Sequence, residues 1–372
     1  MNPPMEVNSG RRSAPASQRN GEMAALIQQL LELAGGSPHA EFLQEMIETV
    51  LRLGGDRADR GDIKILNAAL RELSYAFRVF APYRGIRKVT IFGSARVNEE
   101  TPEYRQALDF AQRITRRGWM LITGAGDGIM KAGQGGAGRE RSFGVNIRLP
   151  FEQQANEFIR SDSKLVTFRY FFTRKLIFMK ETDGIALFPG GFGTLDEAFE
   201  ALTLVQTGKS VPLPIVCLDR PGGDYWSQWD DYVRRVLLDR GLIAPSDVAL
   251  YRVTDSVQVA LDEILGFYGN YHSSRYVGEQ LVLRLQQSPS DAELAVLNQD
   301  FRDILTEGAI TRSAPLAEES AESGLAHLPR LLLSFNRRDV GRLRQLIDAL
   351  NRLSSPSPRD TGDPASSVIT GS

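Results

Sequence analysis

Between Glu22 and Phe80, apolar residues return every three or four positions, the period of a helix with one buried face. Leu26, Leu30, Leu31 and Leu33 form a first stripe. Phe42, Met46, Ile47, Val50 and Leu53 form a second, opened by Ser37-Pro38 as N-cap and first helical residue. Ile63, Leu66, Leu70, Leu73, Phe77 and Phe80 form a third, capped by Asp62. From Lys88 the period changes. Short apolar runs at Val89–Phe92, Met120–Thr123, Phe143–Ile147, Leu165–Phe168, Ile185–Phe188, Ile215–Leu218 and Val248–Val253 alternate with helical stretches. Runs too short for helices and apolar on both faces predict an α/β fold, a parallel sheet of about seven strands with helices on both faces. Beyond Tyr268 the pattern predicts a small α+β appendage: strands at Leu281–Leu285 and Leu331–Phe335, helices at Asp291–Leu305 and Val340–Leu350. The expected organisation is a tail over 1–21, a helical extension over 22–86, the α/β domain over 87–270, the appendage over 271–353 and a tail over 354–372. Both tails are rich in Ser, Pro, Gly or Asn and lack apolar periodicity, so they are expected to be disordered.

In a parallel sheet with right-handed crossovers, all strands end on one edge, where such folds bind ligands. The most informative exit is Asp183–Glu200, DGIALFPGGFGTLDEAFE, in which a buried strand runs into a glycine-rich turn and then a helix starting near Thr194. Glycines let an anion approach the main chain, and a helix start adds free amides and roughly half an elementary charge of dipole. The segment is a phosphate cradle in principle, without the Lys-Ser/Thr of a P-loop. Glu197 follows Thr194 by three residues, so it can close a Thr-x-x-Glu capping box or stand as a carboxylate on the cavity wall. The helix dipole is expected to keep it ionised, a base or cation stabiliser and not a proton donor. Asp196 beside it is expected to face solvent. Two earlier exits, Gly93-Ser94-Ala95-Arg96 and Gly124–Met130, are also glycine-rich, but their spacing is not that of a dinucleotide fingerprint. In the mostly apolar helix Tyr170–Lys180, Arg174 and Lys175 are either snorkelling side chains, or Arg174 serves a phosphate or a catalytic carboxylate.

Composition narrows the chemistry. The 372 residues carry 44 Lys and Arg against 46 Asp and Glu, a formal net charge of −2, which argues against nucleic acid or a membrane surface as the main partner. One cysteine, Cys217, excludes a disulfide framework, and three scattered histidines argue against a His-based zinc site. No apolar run approaches a membrane span and the N-terminus lacks a secretory core, so a cytoplasmic location is expected. The Arg-rich segment Arg337–Arg352 reads as an amphipathic helix packed by Val340, Leu343, Leu346, Ile347 and Leu350, with an anionic partner as the alternative.

Together these residues resemble the LOG family of nucleotide phosphoribohydrolases, whose members have often carried a lysine decarboxylase label. Pro189-Gly-Gly-Phe-Gly-Thr-Leu-Asp-Glu197 matches the family's PGGxGTxxE, and Arg174-Lys175 matches the Arg-Lys of its preceding helix. Gly93-Ser94, the Gly124–Met130 loop and Phe143-Gly-Val-Asn-Ile-Arg-Leu-Pro-Phe-Glu152 are similar to its long-form members. Lys131 stands where those members often have Glu, which reverses a charge near the expected pocket. The resemblance spans roughly Arg87–Phe267. It implies a Rossmann-like fold and hydrolysis of the N-glycosidic bond of a nucleoside 5′-monophosphate, AMP-like or a cytokinin ribotide, giving base and ribose 5-phosphate. It implies Arg174 and Glu197 as catalytic residues, with Ser94, Gly124, Lys175, Gly190, Gly191, Gly193 and Thr194 holding the nucleotide. It implies no cofactor and no metal, and a homodimer or larger homo-oligomer. A nucleotide-binding or carrier protein on the same fold is the competing expectation.

Overall fold

A computed structural model describes residues 16–55, 57–149 and 154–353. Residues 1–15 and 354–372 of the expected tails lie outside the described residues, as do Pro150, Phe151 and Glu152 of the long-form motif. The chain divides into two compact units between Arg71 and Glu72. The first contains α1 (Ala16–Leu33), which begins inside the segment expected to be a tail, and α2 (Ala40–Gly55). α3 (Arg60–Phe80) starts in the first unit and ends in the second. Of the α2 stripe, Phe42, Met46 and Val50 are exposed.

The second unit is built on seven parallel strands: β1 (Lys88–Phe92), β2 (Met120–Thr123), β3 (Ser142–Ile147), β4 (Leu165–Phe168), β5 (Gly184–Leu187), β6 (Ile215–Leu218) and β7 (Tyr251–Thr254). Their order in the sheet is β4-β3-β2-β1-β5-β6-β7. Side chains alternate across it. Val89, Ile91, Leu121, Ala186 and Val216 pack under α4 (Pro102–Arg116), α5 (Ile129–Ala137) and α9 (Val257–Phe267), through Phe110, Ala132 and Ile264. Phe92, Ile122, Leu187 and Cys217 face α6 (Phe171–Glu181), α7 (Phe192–Gln206) and α8 (Tyr225–Tyr232), through Phe178, Ala198 and Trp226. Each such Ile, Leu or Phe stabilises the fold by about 1.5–3 kcal/mol. The chain therefore has the Rossmann-like α/β fold, with both faces of the sheet covered. The last strand is shorter than its apolar run. Pro245 turns Pro245–Leu250 into a 3₁₀ segment, and β7 starts only at Tyr251.

The appendage is an antiparallel sheet of order β10-β11-β9-β8, made of β8 (Tyr271–Val277), β9 (Gln280–Leu285), β10 (Leu305–Ser313) and β11 (Arg330–Phe335). Two helices join it, α10 (Asp291–Asp300) and α11 (Val340–Leu353). The helix expected to reach Leu305 stops at Asp300, where Leu305 opens β10 instead. The appendage shares its core with the parallel sheet through Tyr271, Leu283, Leu333 and Leu346. In α11 the five expected packing residues are buried, Arg342 pairs with Asp303, and buried Arg344 pairs with Glu263 and Asp348. Those arginines are thus engaged within the chain. Among the described residues no helix is long and apolar enough to cross a membrane, and no group of three or more His, Cys, Asp or Glu could hold a metal ion.

Candidate active site

The sheet order reverses between β1 and β5, so their C-terminal exits diverge and leave a crevice. Three loops close around it. The amide of Phe188 donates to the Phe92 carbonyl at 2.8 Å, and that of Ser94 to Pro189 at 3.1 Å, holding the β1 and β5 exits together. The Ser94 carbonyl accepts from Ile129 at 3.0 Å, which ties in the β2 exit. Gly128 (φ +61°) makes that contact possible, because a Cβ there would sit 2.3 Å from the Ser94 oxygen. The result is a cleft of about 780 Å³.

Ser94, Gly124, Arg174, Gly190, Gly191, Gly193, Thr194 and Glu197, eight of the nine expected site residues, all line this cleft. Gly190 is required by packing: a Cβ would lie 2.1 Å from Thr194 Oγ1. Gly191 and Gly193 have nothing within 4 Å of where a Cβ would stand, so their backbone is open to the cleft. α7 begins at Phe192 with Gly191 as N-cap, earlier than the sequence suggests. Thr194 is therefore inside the first turn, and no capping box forms with Glu197. The first amides of a helix have no intrahelical acceptor, and Phe192 and Gly193, which carry the first two of this helix, line the cleft.

Glu197 is buried, and its environment differs from expectation. Burial pushes its carboxyl above the ordinary range, against the opposing charges of Lys175 and Arg174. The helix dipole fades after the first turn, and Glu197 lies past it, so desolvation prevails. Its direct ion pair is with Lys175, at 3.3 Å, and not with Arg174. Lys175 does not line the cleft. It bridges Glu197, Asp196 (3.0 Å) and Glu200. Burial opposes its charge, but hydrogen bonds to Glu200 and Asp196 and the charge of Glu197 together raise its pKa. Asp196 is exposed, as expected, yet engaged in this pair.

Arg174 crosses the floor of the cleft. Its Nε donates to the Val145 carbonyl at 2.9 Å and its guanidinium lies 5.1 Å from the Phe178 ring centroid. Gly124 gives it room: a Cβ there would come within 2.5 Å of Nη2. Arg174 and Glu197 thus line one hollow without an ion pair between them.

Ten further lining residues were not among the expected site residues, and four of them bring side chains that bear on a ligand. Tyr225 donates its hydroxyl to the Gly190 carbonyl at 2.8 Å and clamps the glycine loop. Its signal was available, since it follows the β6 exit at the start of α8. Arg96, Phe171 and Phe192 stand at the cleft as exposed side chains, Phe192 being 94% exposed. Lys131, by contrast, turns to Glu99 (2.7 Å) and Glu157 (3.0 Å) and does not line the cleft.

The sequence model of a family described as "Possible lysine decarboxylase" matches residues 125–264. A relative from Mycobacterium tuberculosis, named cytokinin riboside 5′-monophosphate phosphoribohydrolase, is 29% identical over 168 residues, 43% of this chain and 87% of that protein. The parallel-sheet domain is thus similar to the LOG family. An uncharacterized protein of Archaeoglobus fulgidus is 28% identical to the chain over 131 residues, 35% of this chain and 83% of its own length. A solved structure, the molybdenum cofactor carrier protein of Chlamydomonas reinhardtii, is similar with a TM-score of 0.33 and 19% identity, covering 48% of this chain and 98% of that one. A lysine decarboxylase would need pyridoxal phosphate, which is held as a Schiff base by a lysine amine. The described residues lining the cleft include no lysine, so they do not fit that group.

Proposed function

We propose that the parallel-sheet domain hydrolyses the N-glycosidic bond of a nucleoside 5′-monophosphate, AMP-like or a cytokinin ribotide. Water adds to C1′, the base leaves with a proton, and ribose 5-phosphate remains. The observation that carries this reading is that Glu197 and Arg174 both line one glycine-walled cleft. As the bond breaks, the sugar becomes oxocarbenium-like, and a fixed carboxylate beside C1′ stabilises it while orienting the water. Glu197 is that carboxylate. The amides of Phe192 and Gly193, opened by Gly191 and Gly193, receive the 5′-phosphate, and Arg174 offers Nη donors between the two anions. The name of the mycobacterial relative supports this substrate class. A homodimer is part of the same reading, supported by exposed Phe172 and Leu176 on α6 beside the cleft.

Incubation with AMP, followed by separation of free adenine, tests it. Wild type releases adenine, while Glu197→Gln and Arg174→Ala bind AMP with little or no release. A wild type that binds AMP and never frees the base is a carrier, and the hydrolase reading fails.

A further inference from the structure

We propose that a second hollow, at the opposite edge of the parallel sheet, binds a small phosphate-bearing anion. This hollow has a volume of about 520 Å³. Arg87 precedes β1, Asp183 precedes β5 and Pro212 precedes β6, so it opens at the N-terminal ends of the strands, under β8 of the appendage. The five residues of β1, at about 3.3 Å each, separate it from the cleft by roughly 16 Å.

Its polar wall is built and not merely charged. Arg87 lies 3.5 Å from the centroid of the Tyr268 ring, donates to Asp183 at 3.2 Å and to the His272 carbonyl at 3.1 Å. That fixes the guanidinium and engages Asp183, which is the one carboxylate among the described lining residues. Arg84 lines the same hollow and, among the described residues, has no carboxylate partner, so a positive charge is left unbalanced. His272 adds an imidazole whose Nδ1 is 2.9 Å from Ser273 Oγ. Ser274 accepts from the Tyr271 hydroxyl at 2.8 Å, which leaves its own proton to donate. Burial and the positive charges of Arg87, Arg284 and His327 hold the His272 pKa down, as a local excess of positive charge does. Guanidinium forks with hydroxyl donors around a hollow of this size suit a phosphate or pyrophosphate group on a small metabolite.

The test is calorimetric titration of the full chain with pyrophosphate, using Arg84→Glu, His272→Gln and the cleft variant Arg174→Ala. Saturable binding is expected to survive Arg174→Ala, to weaken at least tenfold in Arg84→Glu and to weaken severalfold in His272→Gln. Adenine release from AMP by Arg84→Glu checks separately that the cleft is intact, so failure of either proposal is read independently. Absence of saturable binding by wild type overturns the second site. So does binding that is indifferent to Arg84→Glu, or that disappears in Arg174→Ala.

Discussion

Replacing Lys175 with Met removes the positive charge that faces Glu197 while keeping the length and packing of the side chain. At 3.3 Å and an effective dielectric constant of 20, the pair attracts by about 5 kcal/mol. Screening through the exposed Asp196 side of the pair, and relaxation once the lysine is gone, leave about a third of that, about 1.7 kcal/mol or a little over one pKa unit. Burial already raises Glu197, and loss of its main counter-charge raises it further. The acid limb of the pH–rate profile for adenine release is therefore expected to move up by about one unit, with kcat falling near neutrality and KM for AMP nearly unchanged. Stability moves with a definite sign. A carboxyl whose folded pKa is raised contributes stability at low pH that is lost as pH rises through the folded value. The variant is thus expected to lose more stability, measured by urea unfolding, at neutral than at acid pH. An acid limb that stays in place would refute the assignment of Lys175 as the group that sets the charge of Glu197.

Gly190→Ala forces a Cβ to within 2.1 Å of Thr194 Oγ1 and 3.0 Å of the Ser94 amide, and is expected to cost about 1–3 kcal/mol in unfolding free energy with a large fall in kcat/KM. Gly193→Ala meets nothing within 4 Å and is expected to leave the melting temperature almost unchanged while raising KM, because it covers an amide proposed to receive the phosphate. In the appendage, Glu319 lies buried between Arg284 and Arg330, and its pKa is lowered to about 2: hydrogen bonds to the Leu316 amide, Arg284 and Arg330 outweigh the effect of burial. Glu319→Gln leaves buried Arg330 without its carboxylate and Arg284 with Glu322 alone, and is expected to destabilise by about 3–5 kcal/mol in chemical denaturation. The depressed pKa gives the sign: this stabilisation is present above the ordinary Glu range and lost as pH falls toward 2, so wild type and variant converge in acid.

How much of this the sequence carries depends on which property writes a signal into it. Burial on both faces leaves continuous apolar runs, which is why β1 to β6 of the parallel sheet are legible to within one residue, while Pro245 shifts the start of β7. β8 and β10 are not, because they are edge strands of the appendage. Tyr271–Val277 reads YHSSRYV and Leu305–Ser313 reads LTEGAITRS, with only Tyr271 and Ile310 buried. Pairing by backbone hydrogen bonds leaves no trace in side-chain polarity. The glycine loops are legible for a different reason, since Gly190 and Gly128 are demanded by contacts no Cβ survives.

The partner of Glu197 shows where that legibility ends. Arg174 and Lys175 are adjacent on α6, and adjacent helical residues project about 100° apart, so one can floor the cleft while the other lies beside α7. Sequence spacing puts both near Glu197 and cannot say which way the helix is rotated. The rotation is set by the apolar face: Ile177 and Phe178 are buried against the sheet, while Phe172 and Leu176 are exposed. Once that face is down, Arg174 reaches the Val145 carbonyl and Lys175 is left to meet three carboxylates of α7. The division of labour follows from packing. A lysine neutralises the carboxylate cluster from behind, and the guanidinium, which forms no ion pair among the described residues, keeps its Nη donors for the anion proposed to bind in the cleft.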